Sequence, residues 1–269
     1  MPFIEAQFIV FVYNEFMVRL LILCPLIFLA GFIDSIAGGG GLISLNSYQA
    51  VGIRDQYALG TNKFSSFIGC TVASINFIRT GNVHVVSLIP SVICALIGSF
   101  LGSKVALGLS TEVFNIIMLI ATPIVALLVF FKKDFSPKTE KTRSNAAYII
   151  LGSLIGLVVG FYDGFYGPGA GMFMQFGFIM IAGLEVKKAC GNARIVNWAS
   201  NLAALFNFVR FGFVAYEVAI ACALFSVLGN FIGSRLAIKK DVKIVRPVML
   251  VVTGLLFVKL VLDYTGVTM

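Results

Sequence analysis

Two cationic side chains interrupt apolar stretches of this sequence at matching positions. Lys63 lies within Tyr57–Ile78, and Arg194 lies within Ala189–Val209. A cation held inside a bilayer costs about 2.5–3.5 kcal/mol on insertion scales unless it is paired or hydrated. Such residues are expected to face a cavity and to bind a negatively charged group. The alternative is that both side chains extend along the apolar surface to the lipid headgroups.

Amides and hydroxyls accompany the two cations at helical spacing. Arg194, Asn197 and Asn201 follow an i, i+3, i+7 pattern, which places them on one face of a helix. Lys63 and Ser66 have the same spacing in the first half of the chain. Further polar residues lie nearer the helix starts: Thr61, Asn62 and Asn192. These donors favour an anion, although the amides could instead join helices by contacts worth under ~2 kcal/mol each.

Two glycine clusters each follow an aspartate and precede a short apolar segment. They span Asp34–Gly41 and Asp163–Gly171. Glycine lets backbone amides approach a ligand closely, and the N–H groups at a helix start favour an anion. The candidate binding glycines are Gly39, Gly40, Gly41, Gly169 and Gly171. The alternative is that these glycines only let helices pack closely.

The aspartates that open the clusters have three possible roles. Asp34 and Asp163 could pair with the cations, carry a coupling proton, or cap the short helices that follow. The sequence leaves these three roles open.

A single offset aligns the two halves of the chain. Shifting the first half by 131 residues superposes many identical or similar residues, among them Gly38/Gly169, Gly60/Gly191, Lys63/Arg194, Asn76/Asn207, Gly81/Gly212 and Gly102/Gly233. Asp34 pairs with Asp163 when two residues are inserted. The sequence therefore predicts a duplication. Its parts are an N-terminal repeat over residues 1–131, a linker over 132–145 and a C-terminal repeat over 146–269.

Loop charge predicts that the two repeats are inverted. The loop Arg235–Arg246 carries five basic residues, whereas its counterpart Lys104–Asn115 carries one. Basic residues concentrate in cytoplasmic loops, so the two loops are expected on opposite sides of the membrane. The basic linker then lies in the cytoplasm and both termini lie outside it, which requires an odd number of crossings per half. Whether the two glycine-led segments cross or re-enter is left open.

Composition places most of the chain in a bilayer. Of the 269 residues, 59% are hydrophobic and only 12% are charged, against about 25% charged in soluble domains. At about 20 apolar residues per crossing, the chain has room for roughly eight to ten transmembrane segments. We predict an all-α membrane protein of two inverted-topology repeats, each with about five helical segments, one of them short.

The ordered set of motifs resembles the TauE/SafE family of sulfite exporters, also called the four-toluene-sulfonate uptake permease family. The motifs that carry the resemblance are Gly38–Gly41 after Asp34, Gly60–Lys63, Gly191–Arg194 with Asn197 and Asn201, Arg79–Gly81, Gly98–Lys104 and Gly229–Arg235. The second cluster departs from a plain glycine run at Pro168 and Ala170. The resemblance implies a permease of the bacterial inner membrane for sulfite, organosulfonates or related small organic anions.

These observations predict a secondary transporter that carries a small anion by alternating access. A gated anion channel is the main alternative. An enzyme would need a nucleophile with its base, or metal ligands, and the sequence indicates neither. A cation transporter would suit Asp34 and Asp163, but Lys63 and Arg194 would repel its cargo. The expected partners are a small anionic substrate and the lipid bilayer. No nucleic acid, metal or cofactor is expected, and homodimer formation is left open.

Overall fold

A computed structural model describes residues 2–110 and 143–240, together with Val113, Ile244, Pro247, Val248 and Val251. Side chains are described from Phe16 onward, except that of Asp55. Every regular element in this part of the chain is a helix, which confirms the predicted all-α class. Two further apolar stretches of the sequence that could cross a bilayer, Val113–Phe131 and Pro247–Leu262, lie almost wholly outside the described residues, as does most of the predicted linker 132–145.

The two halves carry the same helices at the offset found in the sequence. In the first half these are α1 (Pro2–Ala37), α2 (Gly40–Ala50), α3 (Asp55–Arg79) and α4 (Val85–Gly108). In the second half they are α5 (Asn145–Phe165), α6 (Ala170–Phe176, extended by a π-helical turn Gly177–Ile181), α7 (Val186–Arg210) and α8 (Tyr216–Lys240). Both ends of α7 lie 131 residues after those of α3, and α8 begins 131 residues after α4.

Four of the described helical segments are long and apolar enough to cross a bilayer. They are Phe16–Ala37, Val85–Gly108, Asn145–Phe165 and Tyr216–Lys240. Their outward faces expose large aliphatic side chains, for example Ile93 on α4, Val158 on α5 and Leu224 on α8. The protein is therefore a multi-pass membrane protein, with these faces suited to lipid.

The helices α3 and α7 are as long as the spanning helices but more polar. They pack against each other, and α3 also packs on α8 while α7 packs on α4. Residues along almost the whole of α7 are buried. Because neighbouring helices cover the polar faces of these two, the central part of each can carry the amides, hydroxyls and cations that an exposed spanning helix could not. We call α3 and α7 the central helices.

Each short helix folds back along the long helix that precedes it. Gly40, at the start of α2, lies against Ala30 near the end of α1. Tyr48, near the end of α2, packs in one apolar cluster with Leu23 and Ile27. The equivalent antiparallel contacts in the second half are Phe173 with Tyr162 and Gly177 with Ile155. Thus α1–α2 and α5–α6 form two helical hairpins, and the glycine-led segments return instead of continuing in the same direction.

Contacts between the two halves come in equivalent pairs. Asn76 Nδ2 donates to Ser234 Oγ at 2.9 Å, and Asn207 Nδ2 donates to Ser103 Oγ at 2.8 Å. Each of these residues lies 131 positions from its counterpart in the other contact. Such reciprocal contacts are characteristic of a two-fold relation between the halves.

The central helices run in opposite directions. Gly60, early in α3, lies against Phe208 near the end of α7, and Phe77, late in α3, lies against Gly191 near the start of α7. Equivalent helices are therefore antiparallel, which is the relation that an inverted repeat requires. Inversion across the bilayer stays a prediction, because it also depends on crossings in residues 111–143.

Candidate functional site

The tips of the two hairpins contact each other inside the protein. Gly38 and Gly169 have φ angles of 80° and 79°, a left-handed conformation that favours glycine. Met172 N donates to Gly38 O at 3.0 Å, which joins the tips by a backbone hydrogen bond. A β-carbon on Gly38 would lie 2.2 Å from the backbone of Gly171, so a larger residue could not fit there.

The central helices carry Lys63 and Arg194 to the level of these tips. Each residue follows the start of its helix by eight positions, which corresponds to about 12 Å along the axis. Both residues are 1% exposed. Neither side chain extends to the surface, so the structure excludes the alternative in which both reach out to the lipid headgroups.

Each cation forms an ion pair with the aspartate of the opposite half. Lys63 Nζ lies 2.8 Å from Asp163 Oδ1, and Arg194 Nη1 pairs with Asp34 Oδ2. The Lys63–Asp163 pair is buried on both sides, with side-chain exposures of 1% and 4%. Removing one partner of a buried pair typically costs about 3–5 kcal/mol, because the remaining charge is left uncompensated. The two pairs therefore join the halves of the duplicated chain.

The carboxylates have further donors. Ser200 Oγ donates to Asp163 Oδ2 at 2.5 Å, and Gly40 N donates to Asp34 Oδ1 at 3.2 Å. Of the three roles considered for the aspartates, pairing with a cation is observed for both. Capping of the short helix is observed for Asp34 only, and proton coupling stays a prediction. The four charges sum to zero, so the site is not the purely cationic cavity expected from Lys63 and Arg194 alone.

A small polar cavity, which we call the central cavity, lies between the tips and the central helices. Its volume is about 20 Å³. It is lined by Asp34, Gly38, Gly41, Asn62, Lys63, Ser66, Asp163, Gly167, Gly171, Asn197 and Asn201. A cavity of this volume holds about one water molecule. The described conformation is therefore closed around the site, and a polyatomic ligand could enter only if the walls move apart.

One donor of Arg194 has no acceptor in the part of the chain that the structure describes. Arg194 Nη2 is buried and makes no hydrogen bond with any described residue. It lies directly beside the Cα of Gly171, where an added β-carbon would be 2.2 Å away. Buried polar atoms are nearly always hydrogen-bonded, so a guanidinium donor left open next to the central cavity is a candidate ligand contact.

Most of the predicted site residues come together at this cavity. Nine of them line it: Asn62, Lys63, Ser66, Asn197, Asn201, Gly41, Gly171, Asp34 and Asp163. Three lie directly next to it: Arg194 beside Gly171, Gly40 bonded to Asp34, and Gly39 at the start of α2. Gly169 forms the turn before α6. Ligand binding by these residues stays a prediction.

Thr61 and Asn192 have a different environment. Thr61 Oγ1 accepts from Ala215 N at 3.0 Å, and Asn192 Oδ1 accepts from His84 N at 2.9 Å. These two contacts are equivalent under the repeat offset, and each secures the loop before α8 or α4 of the opposite half. Neither residue lines the central cavity. Their buried positions are explained by these backbone contacts.

Several polar residues at the site were missed by the sequence reasoning. Ser200 bonds Asp163, Ser44 Oγ donates to Asn62 Oδ1 at 2.6 Å, and Cys70 Sγ lies 3.6 Å from Asp34 Oδ2. Ser200 could have been predicted, because it stands next to Asn201 in α7. Ser44 and Cys70 could not, because their place at the site depends on how the hairpin tip packs against α3.

Comparison with known proteins identifies the family. The sequence model described as "Sulfite exporter TauE/SafE" matches residues 23–260. A "Probable membrane transporter protein ORF9" of Sinorhizobium sp is 34% identical over 238 residues, which cover 88% of this chain and 90% of that protein. The "Probable membrane transporter protein YfcA" of Escherichia coli K12 is 35% identical over 256 residues, which cover 93% and 94%. No solved structure matches.

The family match covers the tips of both hairpins and both central helices, so it includes every residue of the two ion pairs. The relatives named as membrane transporters agree with the multi-pass helical bundle. The chain is a membrane transporter that belongs to the TauE/SafE family.

Proposed function

We propose that the protein is a secondary transporter that carries a small anion, such as sulfite, an organosulfonate or a related organic anion, through the central cavity by alternating access. The observation that carries this proposal is the meeting of two buried cations, Lys63 and Arg194, at the contact between two hairpin tips. Inverted repeats with broken helices characteristically bind cargo near the bilayer midplane at the interface of the repeats.

The charges of the site favour an anion as cargo. Each carboxylate of the site already has a cationic partner, so a cation entering the site would meet Lys63 or Arg194 at close range. An anion can instead replace a carboxylate oxygen on either cation. Arg194 Nη2 offers it a donor that no described residue uses. A planar guanidinium binds two oxygens of one oxyanion side by side, which suits sulfite and sulfonate groups.

The small volume of the central cavity supports a mechanism in which the site opens to one side of the membrane at a time. About 20 Å³ is too small for a sulfite ion, so the described conformation corresponds to a closed intermediate between two open ones. The contacts that join the tips, among them the Met172–Gly38 hydrogen bond and the two ion pairs, would have to change in such a motion. Rocking of one half against the other would separate the walls on alternate sides.

The location follows from the same proposal. We place the protein in the bacterial inner membrane, with the basic linker in the cytoplasm and both termini outside it. A reporter fused after Lys138 should give a cytoplasmic signal. A periplasmic signal at this position would reverse the proposed orientation.

A thermal-shift screen of the purified full-length protein tests the cargo. The probes are sulfite, a short alkylsulfonate, sulfate, thiosulfate and short carboxylates, each as the same counter-cation salt. We expect one anion class to raise Tm in a saturable way, since a ligand that binds the folded state stabilises it by RT ln(1 + [L]/Kd). A protein stabilised by none of these anions would contradict the proposal.

Paired substitutions locate the binding site. The variant Lys63→Met/Asp163→Asn removes both charges of one pair, and Arg194→Met/Asp34→Asn removes both charges of the other. Each should fold but lose the anion-dependent shift. Lys104→Met, at an exposed position of α4, is the matched control and should keep the shift. Unaltered shifts in both paired variants would remove these cations from the site.

A further inference from the structure

A second polar cavity, which we call the side cavity, adjoins the central cavity on the first hairpin. Its volume is about 10 Å³. It is lined by Ile27, Ala30, Gly31, Asp34, Gly40, Gly41, Ser44, Ser65, Ser66, Ser226 and Asn230. Asp34, Gly41 and Ser66 line both cavities, so one carboxylate faces both. A space of this size holds a single water molecule or a single dehydrated ion.

One residue that lines the side cavity, Asn230, has an oxygen atom with no hydrogen-bond partner among the described residues. Asn230 is 1% exposed, and its Oδ1 makes no hydrogen bond with a described residue. The orientation of the Asn230 amide is fixed by its hydrogen bond to Ser226 O, at 2.9 Å. A carbonyl oxygen can only accept, so the amide nitrogen must face Ser226 O and Oδ1 must point the other way. A buried carbonyl oxygen without a donor is an available ligand for a cation.

The hydroxyl groups of the side cavity also present oxygen lone pairs. Ser44 Oγ and Ser66 Oγ both donate to Asn62 Oδ1, at 2.6 Å and 3.3 Å. Ser65 Oγ donates to Asn62 O at 3.2 Å and already accepts from Tyr48 Oη at 2.9 Å. Ser44 Oγ also lies 3.2 Å from Gly40 O, so its hydrogen points to the backbone or to Asn62 and its lone pairs stay available as acceptors, as do those of Ser66. Together with the Asp34 carboxylate and Asn230 Oδ1, they make the lining rich in acceptors.

The second half of the chain does not repeat this lining. Under the repeat offset, Ser226 corresponds to Ala95 and Asn230 corresponds to Ser99. Ala95 packs against Gly160 of α5, and Ser99 Oγ donates to Ser200 O at 2.6 Å. A feature needed only for packing the duplicated scaffold would be expected in both halves. The acceptor-rich cavity, which lies between the first hairpin and α8, therefore indicates a function that the equivalent place beside the second hairpin does not share.

We propose that the side cavity binds one sodium ion through Asp34, Asn230 Oδ1 and serine hydroxyls, and that this ion is the coupling ion for the anion. Calcium is disfavoured because it takes six to eight oxygen ligands, commonly several carboxylates, and the side cavity has one carboxylate. A proton would need the carboxylate alone and leaves the unpaired Asn230 oxygen unexplained.

Charge balance explains how the ion would promote anion binding. The two ion pairs sum to zero, so a bound anion alone would leave one uncompensated negative charge in a buried site. A sodium ion on Asp34 supplies the missing charge. It also competes with Arg194 for that carboxylate, which frees the guanidinium to bind the anion. This coupling role rests on the proposed function, whereas sodium binding itself does not.

Sodium binding is tested by thermal shift of the purified full-length protein in NaCl, KCl or choline chloride at equal ionic strength. We expect a saturable rise in Tm of about 3 °C in NaCl at ten times Kd, and no comparable rise with the other salts. Asn230→Leu, which removes the acceptor, should abolish the sodium-dependent rise. Ser99→Ala, at the equivalent position of the other half, should retain it. Equal Tm values in all three salts would overturn the proposal.

A direct measurement guards against a poorly folded variant. Binding of radioactive sodium to the wild-type protein should be displaced by unlabelled NaCl and not by KCl at the same concentration. Equal displacement by both salts, or no binding, would overturn the proposal.

The coupling role is tested separately in proteoliposomes. Sulfite or alkylsulfonate uptake should be accelerated at least tenfold by an inward sodium gradient and not by a potassium gradient. Uptake that is equally fast without sodium, or that is driven by a pH gradient in its place, would overturn the sodium coupling and leave the anion transporter intact. A protein that binds sodium but moves no anion would instead contradict the proposed function.

Discussion

Removing the Lys63 ammonium alone should destabilise the protein far more than removing it together with the Asp163 carboxylate. The two groups are 2.8 Å apart, with side-chain exposures of 1% and 4%. In Lys63→Met, Asp163 keeps the Ser200 hydroxyl as a donor but loses its cation. The expected cost is about 3–5 kcal/mol, the usual penalty for one partner of a buried pair.

The double variant Lys63→Met/Asp163→Asn should be closer to wild type. Replacing a buried ion pair by uncharged groups of similar volume is often neutral, because the desolvation of both charges is avoided. The asparagine can still accept from Ser200. We therefore expect the double variant to be more stable than the single variant by about 3 kcal/mol.

The measurement is the free energy of unfolding in mixed detergent micelles, followed by helical circular dichroism as SDS is added. Lys104→Met, at an exposed site on α4, is the control and should change stability by less than about 0.5 kcal/mol. A single variant as stable as the double would refute the reasoning, because it would show that Asp163 needs no cation in the folded state.

Three further predictions address the tips, the loop contacts and the motion. Gly171→Ala should weaken anion binding at least tenfold, because its β-carbon would displace Arg194 Nη2. Gly41→Ala, whose β-carbon would make only ordinary contacts at 3.5 Å, is the control and should fold normally. An anion Kd of Gly171→Ala equal to that of the wild type, measured by thermal shift, would contradict this. Thr61→Val should cost about 1–3 kcal/mol by leaving Ala215 N unpaired, without changing the anion Kd; a changed Kd would place Thr61 in the binding site. Trp198, the sole tryptophan, stacks on Phe67 and donates to Thr71 Oγ1 at 2.9 Å, so anion-driven rocking of the central helices should shift its fluorescence, and an unchanged spectrum at saturating anion would argue against that motion.

The repeat was the part of the fold that the sequence predicted best. Pairs such as Gly60/Gly191 keep their identity because a backbone carbonyl of the opposite half would lie 1.9 Å from an added β-carbon at either position. Close packing of this kind admits only glycine, so the same residue is found at equivalent positions of both halves and the offset can be recognised in the sequence. The helix ends of α3 and α7 follow the same offset.

The return of the short helices could not be predicted from the sequence. Hydropathy and length do not show which neighbour a short apolar segment packs against, and the direction of α2 follows from its contacts with α1. Pairing of the aspartates with the cations stayed one of three open roles for a similar reason. Lys63 and Asp163 are 100 residues apart, and only the packing of α3 against the second hairpin brings them together.

The polar residues near the cations have two different roles, which depend on the neighbour that each side chain contacts. Asn62 lies one residue before Lys63 and Asn192 lies two residues before Arg194, yet Asn62 lines the central cavity and Asn192 holds the loop at His84. Helical spacing predicts which residues share a face but not which neighbour that face contacts. The buried amide of Asn192 is explained by the loop before α4, whose backbone at His84 bonds this side chain.

Counterflow in proteoliposomes is the most direct test of the central claim that Lys63 and Arg194 hold the transported anion. Vesicles loaded with the unlabelled anion that gives a thermal shift should accumulate the labelled anion transiently and with saturation. The folded variants Lys63→Met/Asp163→Asn and Arg194→Met/Asp34→Asn should show no accumulation. Accumulation at the wild-type rate in both variants would contradict the claim.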